Sequence, residues 1–241
     1  NLADDLTVLN RLSDAYKNMQ LIDRNYSDQN ETVQINLKVA DSDTRLQVEV
    51  PDFLGENFRD LVELKESELV SKWLNDTDTL VYFMNEVTPP EFEDDHGPED
   101  DESPMPAKDV PPFSIKTISA VAMNIMVLKC LLSKKTFKKV VIVLSWWDKN
   151  TENGVVPNNP QKYLKEYSPA LFNFIQYHIP NFEIIGLSAQ GQEYPKEDQG
   201  NYEATKKEIK AKTREGKRSF VEIEDKILHD LSLPLYLLIK E

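Results

Sequence analysis

Three short stretches set polar or reactive side chains directly after apolar runs. Pro51-Asp52-Phe53-Leu54-Gly55-Glu56 follows Val48-Glu49-Val50, Ser145-Trp146-Trp147-Asp148-Lys149 follows Val140-Val141-Ile142-Val143-Leu144, and Ser188-Ala189-Gln190 follows Ile184-Ile185-Gly186-Leu187. In an open α/β sheet, ligands sit in the crevice beyond the carboxyl ends of the strands, so these are the positions where binding chemistry is expected. Each stretch alone has a plainer reading, with Asp52 and Asp148 capping helices and Ser188-Ala189 making a turn. A second chemistry shares Asp52. With Glu63 eleven residues on and Lys65 beyond it, two carboxylates can hold a divalent ion while a lysine assists an attacking water. That arrangement needs Glu63 and Lys65 on a strand, whereas residues 58–74 carry helical periodicity.

Other reactive groups form no constellation. His96, His178 and His229 are widely separated and read as surface or capping residues. Cys130 lies in the apolar run from Met123 to Leu132 and reads as a small core residue with no histidine partner. A single cysteine forms no intrachain disulfide. With no basic and apolar leader at the start, a cytoplasmic location is the economical expectation.

The 241 residues suit one domain with a full core, and Asp plus Glu outnumber Lys plus Arg by 42 to 28, for a formal net charge of −14. That balance disfavours nucleic-acid binding by phosphate neutralisation, and with it the nuclease chemistry, but leaves a magnesium-assisted phosphate site open. No run reaches the ~18 apolar residues of a membrane span. Leu6, Leu9, Leu12, Tyr16, Met19 and Ile22 predict a helix over residues 3–22. Thr32 to Val39 and Arg45 to Val50 alternate with period two around Asp41-Ser42-Asp43, which predicts an antiparallel hairpin. A helix over 58–74 and a buried strand over Thr79 to Met84 follow. Residues 86–109 hold ten acidic side chains, one lysine and several prolines, and the stretch to 111 reads as an acidic surface insertion. Helix at 113–134, strand at 139–144, helix at 160–178 and strand at 183–188 then alternate, the pattern of a largely parallel sheet covered on both faces. Residues 206–218, with seven basic and two acidic side chains, read as a solvated helix or loop, and 227–239 as a closing helix. Residues 191–241 together form an extension packing on a single domain.

Taken in order, Asp52-x-x-Gly55, Trp146-Trp147-Asp148 and Ser188-Ala189 resemble the DxxG, [NT]KxD and SA elements of Ras-like, translation-factor-related P-loop GTPases, most closely the divergent bacterial double-GTPase and conflict-system types. The resemblance runs from the first helix to Ser188. It implies a three-layer α/β fold with a mostly parallel sheet and one antiparallel edge hairpin, and a guanine-nucleotide switch using GTP or GDP and Mg2+. It also implies residue roles. Asp52 would hold magnesium through a water, Gly55 would bring its amide to the γ-phosphate, and Thr32 would be the switch threonine on magnesium. Asp148 would read guanine N1 and N2, Trp146 beside Ser145 would stack on the base, and Ala189 after Ser188 would meet the guanine carbonyl. The moving segments would be residues 23–32 and 52–60.

This chain departs from the family pattern in two places. No GxxxxGK[ST] loop occurs in it, and the first strand of the sheet is missing with that loop. The chain starts at Asn1 with a helix of the kind that follows the loop, so the expectation is a loop lying upstream, with a nucleotide-free pseudo-GTPase interaction module as the alternative. Glu56 stands where the family has a water-orienting glutamine, and a carboxylate beside a γ-phosphate implies slow turnover or help from a protein regulator or effector. Neither a membrane nor a nucleic-acid partner is expected.

Overall fold

The computed structural model describes residues 7–20, 32–38, 45–51, 60–63, 68–85, 87, 118–150, 159–195 and 200–239. Helix α1 (Thr7–Asn18) leads to strands β1 (Thr32–Lys38) and β2 (Arg45–Pro51), then to α2 (Glu68–Asp76) and β3 (Thr79–Met84). Helix α3 (Ala120–Lys134), β4 (Lys139–Ser145), α4 (Pro160–Tyr167), α5 (Pro169–His178) and β5 (Phe182–Ser188) continue the alternation. The chain then adds α6 (Tyr202–Arg214), β6 (Phe220–Ile223), β7 (Lys226–Leu228) and α7 (Leu233–Ile239).

Strands β3 to β7 hydrogen-bond in sequence order, with β3, β4 and β5 parallel and β6 and β7 antiparallel. Strand β4, the middle one of the three parallel strands, is apolar along both faces, as a doubly covered parallel strand must be. Its residues divide by parity. Val140, Ile142 and Leu144 join Leu128, Leu164, Leu171 and Ile175 in a core under α2, α3, α4 and α5, whereas Val141 and Val143 join Ile185, Val221 and Leu237 under α7. Helices on both faces of the sheet make the three expected layers. At the strand starts, the Lys138 amide donates to the Asp78 carbonyl (2.8 Å) and its ammonium to the Asp78 carboxylate (2.5 Å), which aligns β3 with β4.

Some elements differ from expectation. The hairpin forms as expected, with Thr32 opposite Pro51 and Lys38 opposite Arg45, but it is a two-stranded sheet of its own. The antiparallel edge of the five-stranded sheet comes instead from β6 and β7. The expected closing helix is divided, with Lys226–Leu228 in β7 and only Leu233–Ile239 helical. The helix expected over 160–178 breaks at Ser168, because Pro169 brings no amide hydrogen and its ring excludes helical geometry in the residue before it. Residues 60–62 are helical and Glu63 is a turn. Helix α1 stops at Met19, whose φ of 55° is left-handed, while the Gln20 amide closes on the Ala15 carbonyl (2.9 Å). Apart from Val87, the acidic stretch of 86–111 lies outside the described residues. No helix among the described residues is long and apolar enough to cross a membrane.

A Cβ on Gly186 of β5 would stand 2.4–2.6 Å from three atoms of the fully buried Trp147 ring, so Gly186→Ala is expected to destabilise the domain by about 1–3 kcal/mol, read as a lower urea midpoint. Burial holds the Tyr82 hydroxyl, which donates to Asn124 Oδ1 (3.0 Å), well above the ordinary tyrosine value of 10.0. Burial also raises Tyr194, with the Arg218 charge pulling partly back. A raised folded-state value means stability is full below pH 10.0 and falls as pH rises above it, where the unfolded chain ionises first. In an ultraviolet phenolate titration, Tyr82 should ionise only as the chain unfolds, and Tyr194 at higher pH than a free tyrosine.

Candidate functional site

At the carboxyl end of β4 the backbone turns sharply. Trp146 takes left-handed dihedrals (φ 56°, ψ 35°), and Trp147–Lys149 form one turn of three-ten helix closed by Lys149 N to Trp146 O (2.8 Å). A bulky residue in that region costs on the order of 1–3 kcal/mol and persists only when its surroundings over-determine it. Trp147 supplies the constraint. Its ring is fully buried, lies over Gly186, meets Tyr163 edge-on at 5.2 Å, and donates its indole N–H to Glu222 Oε2 (2.7 Å). Glu222, on β6, is itself buried and accepts the Asn159 amide through its other oxygen (3.2 Å). Asn159 in turn caps α4 by accepting from the amides of Gln161 and Lys162.

With Trp147 anchored inward, its neighbours face outward. Trp146 is 56% exposed, and the Lys149 ammonium lies 4.8 Å from its ring centroid. Asp148 is directed across to β5, where its Oδ1 accepts a hydrogen bond from the Ser188 hydroxyl. Ser188 is fully buried, and its Oγ also accepts the Gly191 amide (2.9 Å), closing the turn that carries Ala189. Gly191 has a φ of 80°, and a Cβ there would stand 1.7 Å from the Arg218 carbonyl oxygen, so only glycine fits. The Ala189 carbonyl accepts from Ser219 Oγ (2.6 Å), which also bonds the Tyr16 hydroxyl (2.8 Å). Ser145 ties the end of β4 to β3 by donating to the Met84 carbonyl (2.9 Å).

The structure therefore brings Ser145, Trp146, Asp148, Ser188 and Ala189 to adjacent ends of two parallel strands. Asp148 lies within a short three-ten segment whose N-cap position is Trp146 and which has no side-chain cap, so it does not take the capping role of the plainer reading; its Oδ1 is bonded across to Ser188. Thr32 opens β1. Asp52, Gly55, Glu56 and Lys65 lie outside the described residues, as do 23–31 and 52–59. Among the described residues, no group of three His, Cys, Asp or Glu side chains is placed to hold a metal ion. His178 ends α5 beside Phe174 and Tyr177, and His229 Nδ1 contacts the Ser219 carbonyl at 2.8 Å. Glu222 and Gly186 also belong to the site, although neither stands out in the sequence as a site residue. A carboxylate inside Phe220-Val221-Glu222-Ile223 and a glycine inside an apolar strand were the available signs, but nothing in the sequence pairs either with Trp147.

Comparison with curated proteins and with solved structures gives no match. The family model for Double-GTPase 1 matches residues 1–238, which takes in the turn after β4, the turn after β5 and nearly all of the antiparallel edge and closing helix beyond them. The chain belongs to the Double-GTPase 1 family, a GTPase-related family.

Proposed function

We propose that the domain binds a guanine nucleotide with the base seated at the carboxyl ends of β4 and β5, and works as a magnesium-assisted GTP switch. The observation that carries this reading is the hydrogen bond from Ser188 to Asp148, which joins residues 40 apart in sequence at the ends of neighbouring parallel strands. A carboxylate steadied there would accept from guanine N1 and N2, a donor pair adenine lacks. The exposed face of Trp146 would stack on the base, and the Ala189 amide would meet the guanine carbonyl.

At the phosphate end, Asp52 and Thr32 would hold the magnesium that arrives with the nucleotide, an ion that offsets phosphate charge. Gly55 would place its amide on the γ-phosphate. Glu56 beside that phosphate would slow turnover until a protein partner supplies compensating charge. The sheet supports this reading as well. Among the described residues the outer edge of β3 pairs with nothing, and the hairpin β1–β2 stands apart. A further parallel strand could pair with that open edge, the position from which the fold that this chain resembles feeds its GxxxxGK[ST] loop, a motif not found in residues 1–241. The second reading, an interaction module without nucleotide, rests on that same missing motif. For the nuclease reading, Glu63 stands in a turn after a helical stretch, whereas its chemistry calls for a strand.

Calorimetric titration of the natural full-length chain with GTP, GDP and ATP in magnesium tests the proposal. Guanine-selective binding is expected, weakened roughly tenfold to hundredfold by Asp148→Ala through loss of charge-assisted hydrogen bonds. Asp148→Asn should weaken guanine preference and admit xanthine nucleotides, because a two-acceptor group becomes one donor and one acceptor. Unchanged guanine and xanthine affinities in Asp148→Asn would overturn the base assignment. No binding to any of the three nucleotides would favour the interaction module.

A further inference from the structure

A cavity of about 220 Å³ opens between α1, α6 and the segment leading into β6. None of Trp146, Asp148 or Ser188 lines it. Four cationic side chains do, namely Lys17 from α1, Lys210 and Arg214 from α6, and Arg218. Among the described residues no carboxylate lines it, so these like charges share one opening without a counterion there. Lys17, Lys210 and Arg214 are exposed, as solvated cations normally are.

Arg218 is the exception, being only 4% exposed. Its guanidinium lies 3.7 Å from the centroid of the Tyr16 ring, and Nη2 donates to the Tyr194 hydroxyl (2.6 Å). Its Nε–H, however, is buried with no hydrogen-bond partner among the described residues. That N–H is sealed from solvent, so what Arg218 offers the cavity it lines is the positive charge of its guanidinium, which no carboxylate among the lining residues offsets. The remaining wall is largely apolar, formed by Met19, the fully buried Ile209, the Tyr16 ring and Thr213, whose hydroxyl donates to the Ile209 carbonyl (2.8 Å).

We propose that this cavity binds a phosphoryl group carried on a small apolar body. A doubly charged oxyanion matches a cluster of four cations better than a carboxylate does, and guanidinium geometry suits phosphate oxygens. The apolar part of such a ligand would cover Met19 and Ile209. The site is separate from the nucleotide reading and stands or falls without it.

The probe is phenyl phosphate, titrated into the 241-residue chain by calorimetry alongside phenol, benzoate and inorganic phosphate. Saturable one-to-one binding is expected, tighter than any of the three controls and weakened by added salt. Lys210→Gln with Arg214→Gln, both surface changes that leave the core alone, should weaken it about tenfold, and Arg218→Gln should weaken it further where the variant folds. Asp148→Ala should leave it unchanged. Binding that ignores the charge variants, that equals phenol, or that disappears in Asp148→Ala would overturn the proposal. So would no binding of phenyl phosphate, and an acidic peptide binding to this face in its place would show a protein partner to be the occupant.

Discussion

The hydrogen bond from the Trp147 indole to the Glu222 carboxylate joins parts of the molecule that chain order keeps apart. It is buried and charge-assisted, the kind of contact worth about 1.5–3 kcal/mol, and removing either partner strands the other away from water. Its geometric role is larger than its energy. Trp147 cannot leave the core without opening a hole over Gly186, so the backbone before it must turn left-handed at Trp146, and the backbone after it must direct Asp148 toward β5. The other Glu222 oxygen holds the Asn159 amide, so the same carboxylate sets where α4 begins. One buried anion therefore positions the turn after β4 and the helix that follows it.

This arrangement explains why the antiparallel strands belong to the site. Strand β6 pairs with β5 through Ser188 opposite Phe220 and Gly186 opposite Glu222. That register places Glu222 beside the glycine notch that Trp147 fills, and places Ser219 where its hydroxyl reaches the Ala189 carbonyl. The two turns at the carboxyl ends of β4 and β5 are thus braced from the same short strand. Tyr16 extends the brace to α1 through Ser219, and its ring carries the Arg218 guanidinium on its face.

Much of the alternating βα body was legible because its signals are local. Strands 79–84 and 139–145 are largely apolar or β-branched runs; the inner one, 139–145, is buried on both faces, as such a run means in a parallel sheet, while 79–84 at the edge buries Leu80 and Met84. The hairpin was legible from period-two alternation around a turn. The antiparallel edge was not. Ile227 and Leu228 look like the start of an apolar helix, yet both are exposed in β7, where pairing with β6 decides their conformation. Periodicity also ran through Pro169, although proline chemistry stops the helix there. At the site, the sequence marked Asp148 and Ser188 by their positions after strands. Glu222, which holds the Trp147 indole, lies 75 residues from it in sequence, a separation at which local pattern carries no information.

The outer edge of β3 has consequences in solution as well as for the fold. Thr79-Leu80-Val81-Tyr82-Phe83-Met84 carries no charge and no proline, and Phe83 is 58% exposed beside a row of backbone groups that no described strand covers. An edge of that composition is a template for any extended chain, including another molecule of the same protein. Colloidal stability of the domain is therefore tied to strand pairing at one position. Whatever strand occupies this edge protects the protein from itself, and concentration alone should promote edge-to-edge association wherever the edge stays open.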